Sequence, residues 1–322
     1  MKNKTYLRIL FFTFGSIFTL VIVYVFYFSK NYPLPITGHL SLDAKLKFVR
    51  DYILPEQVDT LIIGSSIGLN NIQGSYLEKQ SPSVNKVVNL SVFGATTLQA
   101  EQLMQLGSTF PNLKRIIYSV QYPDTTRGFK FENYDPFMLE QYMKHELNAI
   151  QYGLLIFNSC KNIFFCIRRQ YEWKHTYMIP TAYEFLGFDS SGSVPLRVYG
   201  KDIIGHRWKL PQPGIMRNGS FQAMSKMAQD CQKKDILFYV VHQPYRKPLY
   251  EKYASVRGAL AYFDKKSEEA ITLYNGILLK MQNLHLEDSY FSDRTHLNNE
   301  GSLIVTEELA RNIDSIEGTN KE

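Results

Sequence analysis

Short apolar segments that alternate with helical segments constrain the fold of this chain more than any other feature. Four of them have the length and composition of buried strands: DTLIIG, NKVVNLSV, LKRIIYSVQY and DILFYVVHQP. HLEDSYF, near the C-terminus, predicts a short fifth strand. Buried strands separated by helices predict an α/β fold, with a three-layer, doubly wound parallel sheet of about five strands.

Helical periodicity marks the segments between these strands. TTLQAEQLMQLGSTF begins with a threonine suited to cap a helix. Further helices are predicted in LDAKLKFVRDYIL, SFQAMSKMAQDCQKK, the long stretch through EEAITLYNGILLKMQNL, and GSLIVTEELARNI. In such sheets ligands bind at the carboxyl ends of the strands, so the residues that follow each strand are the candidates for a site.

The run from Ile9 to Phe28 carries no charged residue and has about the length needed to cross a bilayer as one helix. The basic residues that precede it favour a cytoplasmic N-terminus. We therefore expect a cytoplasmic tail at 1–8, a transmembrane anchor at 9–28 and a linker at 29–41. A cleaved signal peptide would have a shorter apolar core and a small-residue exit, which YFSKNYPLP does not provide.

The remaining chain is expected to form one domain over residues 42–316, followed by a polar tail at 317–322. The strand–helix alternation stops between about 123 and 218, where Tyr, Phe, Trp and Arg are frequent. This stretch is too long for an ordinary loop. We interpret it as an insertion at the carboxyl edge of the sheet, either a cap or substrate-binding subdomain or a segment with only a packing role.

Composition excludes some classes of partner and leaves the redox state open. The net charge of +6 over 322 residues is spread along the chain, so no nucleic-acid partner is indicated. The histidines show no metal-ligand spacing, and no cofactor is indicated. Cys160 and Cys166 could pair, but their apolar surroundings and the odd third cysteine, Cys231, favour buried free thiols.

The residues after the first strand, GSSIGLNN, place Ser66 on a sharp turn where its hydroxyl can enter the crevice. Near the C-terminus, DRTHLNNEG places Asp293 three residues before His296. A nucleophilic serine needs a base within hydrogen-bond reach, and that base needs an orienting acceptor. We therefore predict that His296 takes the Ser66 proton and that Asp293 accepts from the other ring nitrogen.

These motifs resemble those of the SGNH/GDSL hydrolases, a family with a flavodoxin-like α/β fold. The first block is Gly64-Ser65-Ser66, the second is NLSVFGATT with Gly94, and the last is Asp293-Arg-Thr-His296. Ser65 occupies the position where many members have aspartate. The string also fits the elbow of α/β-hydrolases, but there several strands precede the nucleophile, and the acid and the base lie on separate loops.

The resemblance implies that the backbone N–H groups of Ser66 and Gly94 form an oxyanion hole. The family usually adds an asparagine after the third strand, where this chain has SVQYPDTT. Gln121 is a candidate substitute for that side-chain donor. His242, after the fourth strand, is expected at the rim of the crevice, with either a structural or a substrate-binding role.

Within the family, the layout resembles the membrane-anchored proteins of teichoic acid D-alanylation and alginate acetylation. It implies a bacterial, single-pass protein of the cytoplasmic (inner) membrane, with its catalytic domain on the periplasmic or extracellular face. Three functions stay open. The first is a serine O-acyltransferase or esterase of cell-surface polysaccharide, with O-acetyl groups favoured. The second is a non-catalytic partner that binds glycan or docks on a membrane-bound O-acyltransferase. The third is an anchored lipase or thioesterase.

Overall fold

The computed structural model describes residues 2–182, 184–200 and 215–319. Its strands are β1 (Thr60–Gly64), β2 (Val87–Asn89), β3 (Arg115–Val120), β4 (Leu237–His242) and β5 (Ile277–Lys280). They form one sheet in the order β2-β1-β3-β4-β5, and every pairing is parallel. The predicted α/β class and the five-stranded parallel sheet are confirmed.

The described part of the chain also contains twelve α-helices. They are α1 (Lys2–Asn31), α2 (Leu40–Tyr52), α3 (Ser66–Asn71), α4 (Gly74–Gln80), α5 (Thr97–Gln105), α6 (Pro136–Met143), α7 (Ala149–Ser159), α8 (Ile163–Met178), α9 (Asn218–Lys233), α10 (Lys247–Lys252), α11 (Ala254–Ile271) and α12 (Asn299–Thr319). Thr96 caps α5 as its sequence predicts. Its side chain accepts from the backbone amide of Gln99, and the Gln99 side chain accepts from the backbone amide of Thr96.

Helices cover both faces of the sheet because successive strand residues point to opposite sides. Leu61 and Ile63 of β1 belong to a core that includes residues of α5, α9 and α11. Ile62, between them, belongs to a second core with Leu77 of α4 and Val305 of α12. β1 to β4 are therefore buried on both sides, and this explains their apolar composition.

The fifth strand was predicted in the wrong place. Residues Asp288–Tyr290, within HLEDSYF, form a short 3-10 turn. The strand lies at Ile277–Lys280, inside the segment predicted as one long helix, which breaks where Asn275 adopts a left-handed φ of 59° before a glycine. β5 is an edge strand and only partly buried, and its short apolar run, Ile277–Leu279, fits a helix as well as a strand.

The helices of the predicted insertion pack against α1 and α2. α6 contacts α2, while α7 and α8 contact α1. Cys160 and Cys166 form a disulfide at the turn between α7 and α8, so the expectation of two free thiols was wrong. That turn brings the two cysteines together, which their apolar surroundings alone did not indicate. Cys231 is a free, buried cysteine in α9.

α1 is long and apolar enough to cross a membrane, with a mean hydropathy of 2.4 over its most apolar window. Its side chains are exposed along most of its length, whereas Phe28 near its end is buried in the core. α1 continues to Asn31 and α2 begins at Leu40, so the expected linker at 29–41 is helical at both ends. Likewise α12 runs through Glu317, beyond the expected domain end at 316.

Candidate active site

The site lies at the carboxyl ends of β1 and β3, the adjacent strands at which the strand order reverses. β1 ends at Gly64, whose φ is 152°. A Cβ at this position would lie 2.3 Å from the carbonyl oxygen of Ser119 on β3, so only glycine allows the strand to turn here. Ser65 then caps α3 by accepting from the Ile67 amide, and Ser66 is the first residue of that helix.

Ser66, His296 and Asp293 form a continuous hydrogen-bonded chain. Ser66 Oγ lies 2.7 Å from His296 Nε2, and His296 Nδ1 lies 2.9 Å from Asp293 Oδ2. Because a carboxylate only accepts, Nδ1 carries the proton and Nε2 is left to accept from the serine hydroxyl. The fold therefore brings an early serine and a late histidine, 230 positions apart, into direct contact.

The Asp293 carboxylate also shapes the loop that carries the histidine. Its Oδ1 accepts from the amide of His296 at 2.6 Å and from the amide of Thr295 at 2.7 Å. Asn71, at the end of α3, accepts from the Leu297 amide at 2.9 Å. Sequence reasoning missed Asn71, because its role depends on α3 and the C-terminal loop meeting in space. These contacts fix the position of the imidazole.

The backbone N–H groups of Ser66 and Gly94 are the expected oxyanion donors, and both residues lie at the cleft. Gly94 has a left-handed φ of 65° that favours glycine. Among the described residues, no hydrogen bond occupies either amide. Two unpaired N–H groups beside a serine hydroxyl can stabilise the negative charge of a tetrahedral intermediate.

Gln121 lines the cleft, but its side-chain amide is engaged elsewhere. Its Nε2 donates to the carbonyls of Pro244 and Thr295, each at 3.3 Å. The second of these contacts supports the loop of His296. Gln121 is therefore placed to hold that loop, and the N–H groups of its side-chain amide are engaged with these two carbonyls.

His242 does not lie at the rim of the cleft, and its expected position was wrong. Its side chain is 1% exposed, and its ring stacks on Phe263 of α11 at 3.9 Å. Nδ1 contacts Asp264 at 2.7 Å and Nε2 contacts Ser267 at 3.1 Å. Burial lowers the pKa of His242, which keeps the imidazole neutral. The residue joins β4 to α11 because its side chain points away from the crevice.

Three charged residues of the cleft were not predicted from sequence. The cleft has a volume of about 370 Å³, and Asp124, Arg127 and Arg294 line it. Asp124 Oδ2 accepts from Ser65 Oγ at 3.1 Å and from the Gln121 amide at 3.0 Å. Burial raises the pKa of Asp124 to about 7. Its position directly after β3 is a signal that could have identified it.

The two arginines give the cleft a positive rim. Arg127 and Arg294 are exposed, and no carboxylate in the described part of the chain forms an ion pair with either guanidinium. Two exposed arginines at the mouth of one cleft give that mouth a positive charge, beside the buried carboxyl of Asp124. Arg294 lies inside the Asp-x-x-His motif, where its charge was visible in the sequence.

No cluster of His, Cys, Asp or Glu with the arrangement of a metal site occurs among residues 2–182, 184–200 and 215–319. The chain matches no known protein-family model, and no curated protein matches it in sequence. The geometry of the cleft is therefore the basis for assigning a function.

Proposed function

We propose that the protein is a membrane-anchored serine acyltransferase or esterase of the SGNH type that acts on cell-surface polysaccharide. Acetyl is the favoured acyl group. The observation that carries this proposal is the 2.7 Å contact between Ser66 Oγ and His296 Nε2, with Asp293 on the other ring nitrogen. A hydroxyl, a base and an orienting carboxylate in that order are the requirements of acyl transfer through a serine ester.

The reaction begins when Ser66 Oγ attacks the acyl carbonyl and its proton passes to His296 Nε2. Asp293 stabilises the imidazolium through Nδ1–H. The carbonyl oxygen becomes an oxyanion that accepts from the Ser66 and Gly94 amides. The intermediate then collapses, the bond to the leaving oxygen breaks, and that oxygen takes the proton from His296. A glycan hydroxyl attacks the resulting ester in a transferase, and water attacks it in an esterase.

The shape and charge of the cleft favour a short acyl group and a charged acceptor. A volume of about 370 Å³ lies at the small end of the range for ligand pockets. Its lining is polar and apolar in about equal parts, so the small volume is what disfavours the long acyl chains of a lipase or thioesterase substrate. Arg127 and Arg294 would pair with carboxylate or phosphate groups of an acidic glycan.

α1 would hold this domain at the membrane. An apolar helix with exposed side chains, preceded by basic residues, is the pattern of an uncleaved anchor. We place the protein in the bacterial cytoplasmic (inner) membrane as a single-pass protein. Residues 1–8 then lie inside, and the catalytic domain lies on the outer face, where surface polysaccharide and a membrane-bound O-acyltransferase are accessible.

A non-catalytic docking role is the second candidate. The side-chain amide of Gln121 donates to two carbonyls and so does not serve as a donor to the oxyanion hole. A weaker oxyanion hole favours the docking role. The two candidates differ in whether a covalent ester forms on Ser66, so the test must report on that bond.

Comparing Ser66→Ala with Ser65→Ala separates the candidates. The two serines are neighbours of equal size, but the Ser65 hydroxyl caps α3 and donates to Asp124. Hydrolysis of 4-nitrophenyl acetate by the purified protein should fall to background in Ser66→Ala and stay within about tenfold of wild type in Ser65→Ala. Equal activity in wild type and Ser66→Ala, or no activity in either, would reject the catalytic proposal.

A further inference from the structure

α7 and α8 carry apolar side chains on their solvent-facing sides, outside the active site. Ile150, Leu154 and Phe157 recur at helical spacing along α7, and their side chains are between 55% and 76% exposed. Phe164 and Phe165 of α8 are 74% and 59% exposed. No charged residue occurs in α7. Helices that face water normally carry polar residues outward, so this pattern indicates a surface covered by something apolar.

The two helices form a hairpin with a sharp bend. Their axes differ by 84°, three residues separate them, and the Cys160–Cys166 disulfide closes the turn. Taken together they are apolar enough for a membrane span, but the bend excludes one straight crossing. A bent helical pair with an exposed apolar face has the form of a segment that lies within the membrane interface.

The hairpin is tied to α1 at the level where α1 would leave the bilayer. Tyr24 Oη donates to Gln170 Oε1 of α8 at 2.9 Å, and Gln170 Nε2 donates to Tyr32 Oη at 3.1 Å. Tyr24 lies about 6 Å of helix rise inside the end of the uncharged run at Phe28. If α1 crosses the bilayer, α8 must therefore lie at its surface.

We infer that α7 and α8 form a membrane-interface hairpin whose apolar face inserts into the leaflet next to the catalytic domain. This inference rests on the proposed role of α1 as an anchor. Lipid is the occupant because the exposed face adjoins the helix that would be surrounded by lipid. Trp173 and Tyr177 stack at 4.6 Å farther along α8, and aromatic rings of this kind favour the headgroup region. The domain then has a second attachment that restricts its rotation about α1.

Depth-dependent fluorescence quenching tests this inference on the full-length protein. The variants Phe157→Cys and Phe164→Cys would each carry a nitrobenzoxadiazole label in vesicles of phosphatidylcholine and phosphatidylglycerol. Labelling without reductant reports the introduced thiol, because Cys160 and Cys166 are bonded and Cys231 is buried, with its pKa raised to about 12 by burial. Lipid-bound doxyl groups report contact with the bilayer, and aqueous iodide reports contact with water.

Two control positions make the result decisive. Phe18 of α1 is 67% exposed and its label should be quenched by doxyl lipid, whereas Leu273, after α11, is 76% exposed and its label should be quenched by iodide. Labels at 157 and 164 should behave like the label at 18, with at least a threefold preference for doxyl over iodide. Behaviour like position 273 would overturn the inference. Protection from both quenchers would also overturn it, since it would indicate a second copy on this face. Iodide quenching at 18 would reject the anchor itself.

Discussion

Replacing Asp293 by asparagine should separate the chemistry of the site from its stability. In the wild type, Oδ2 accepts from His296 Nδ1, while Oδ1 accepts from the amides of Thr295 and His296. Asparagine keeps one carbonyl oxygen, which can retain the two backbone contacts. Its NH₂ group faces Nδ1 and can only donate, so the ring takes the tautomer with its proton on Nε2. That proton then points at Ser66 Oγ, and the base is lost.

The side chains of Asp293 and His296 are 12% and 13% exposed, so water screens their interaction only partly. We expect Asp293→Asn to lose about 4 kcal/mol of transition-state stabilisation, which corresponds to about 10³-fold in kcat/KM. The unfolding free energy should change by less than about 1 kcal/mol because the loop contacts persist. Initial rates with 4-nitrophenyl acetate and thermal unfolding of the same preparations measure the two quantities.

Asp293→Ala is the matched control. It removes the acceptor of both backbone amides as well as the partner of the imidazole. We expect it to lose activity to a similar extent and to lose about 2 kcal/mol of stability. If Asp293→Asn keeps kcat/KM within tenfold of wild type, the carboxylate does not set the tautomer of His296, and its proposed role in the chemistry is refuted.

The other expectations concern charge in the cleft and at the far end of the sheet. Replacing Arg127 and Arg294 by alanine should raise KM for an anionic glycan acceptor about tenfold in low salt and leave the kinetics of 4-nitrophenyl acetate unchanged. Asp124→Asn should gain stability relative to wild type as the pH rises from about 4 to 7, because the raised pKa of Asp124 costs folding energy once the unfolded chain ionises. Glu317→Gln should lose about 2–3 kcal/mol in urea unfolding, since buried Arg115 loses one of its two charged partners.

Each of these has an outcome that contradicts it. Equal losses with charged and neutral substrates would show that the arginines support the fold of the cleft. A constant stability difference between Asp124→Asn and wild type across pH 4 to 7 would show that the carboxyl titrates at its ordinary value. An unchanged urea midpoint in Glu317→Gln would show that Asp59 alone satisfies the guanidinium of Arg115.

Sequence patterns predicted the fold wherever burial was complete on both faces. β1 and β4 are almost fully buried, and their apolar runs were recognised for that reason. β5 is a half-buried edge strand in a polar neighbourhood, and periodicity assigned it to a helix. The hairpin of α7 and α8 was not predicted either, because an aromatic-rich stretch without alternation fits several packings until its neighbour α1 is known.

The site residues that lie in local sequence motifs or just after a strand could be predicted from the sequence. Ser66 comes directly after β1 and Asp293 lies in a compact polar motif, so both were found from local sequence. His242 is the last residue of β4, and the orientation of its side chain toward α11 depends on strand parity and packing. Asn71 acts through a contact across 226 positions of the chain, which no local pattern contains.

The central claim is that Ser66 is a nucleophile activated by His296. Labelling with a fluorophosphonate probe, followed by peptide mass spectrometry, tests it directly because the probe reacts only with an activated hydroxyl. The proposal predicts one modified serine, Ser66, in wild-type protein and at least a hundredfold slower labelling in His296→Ala. Labelling at another serine, or an undiminished rate in His296→Ala, would contradict it.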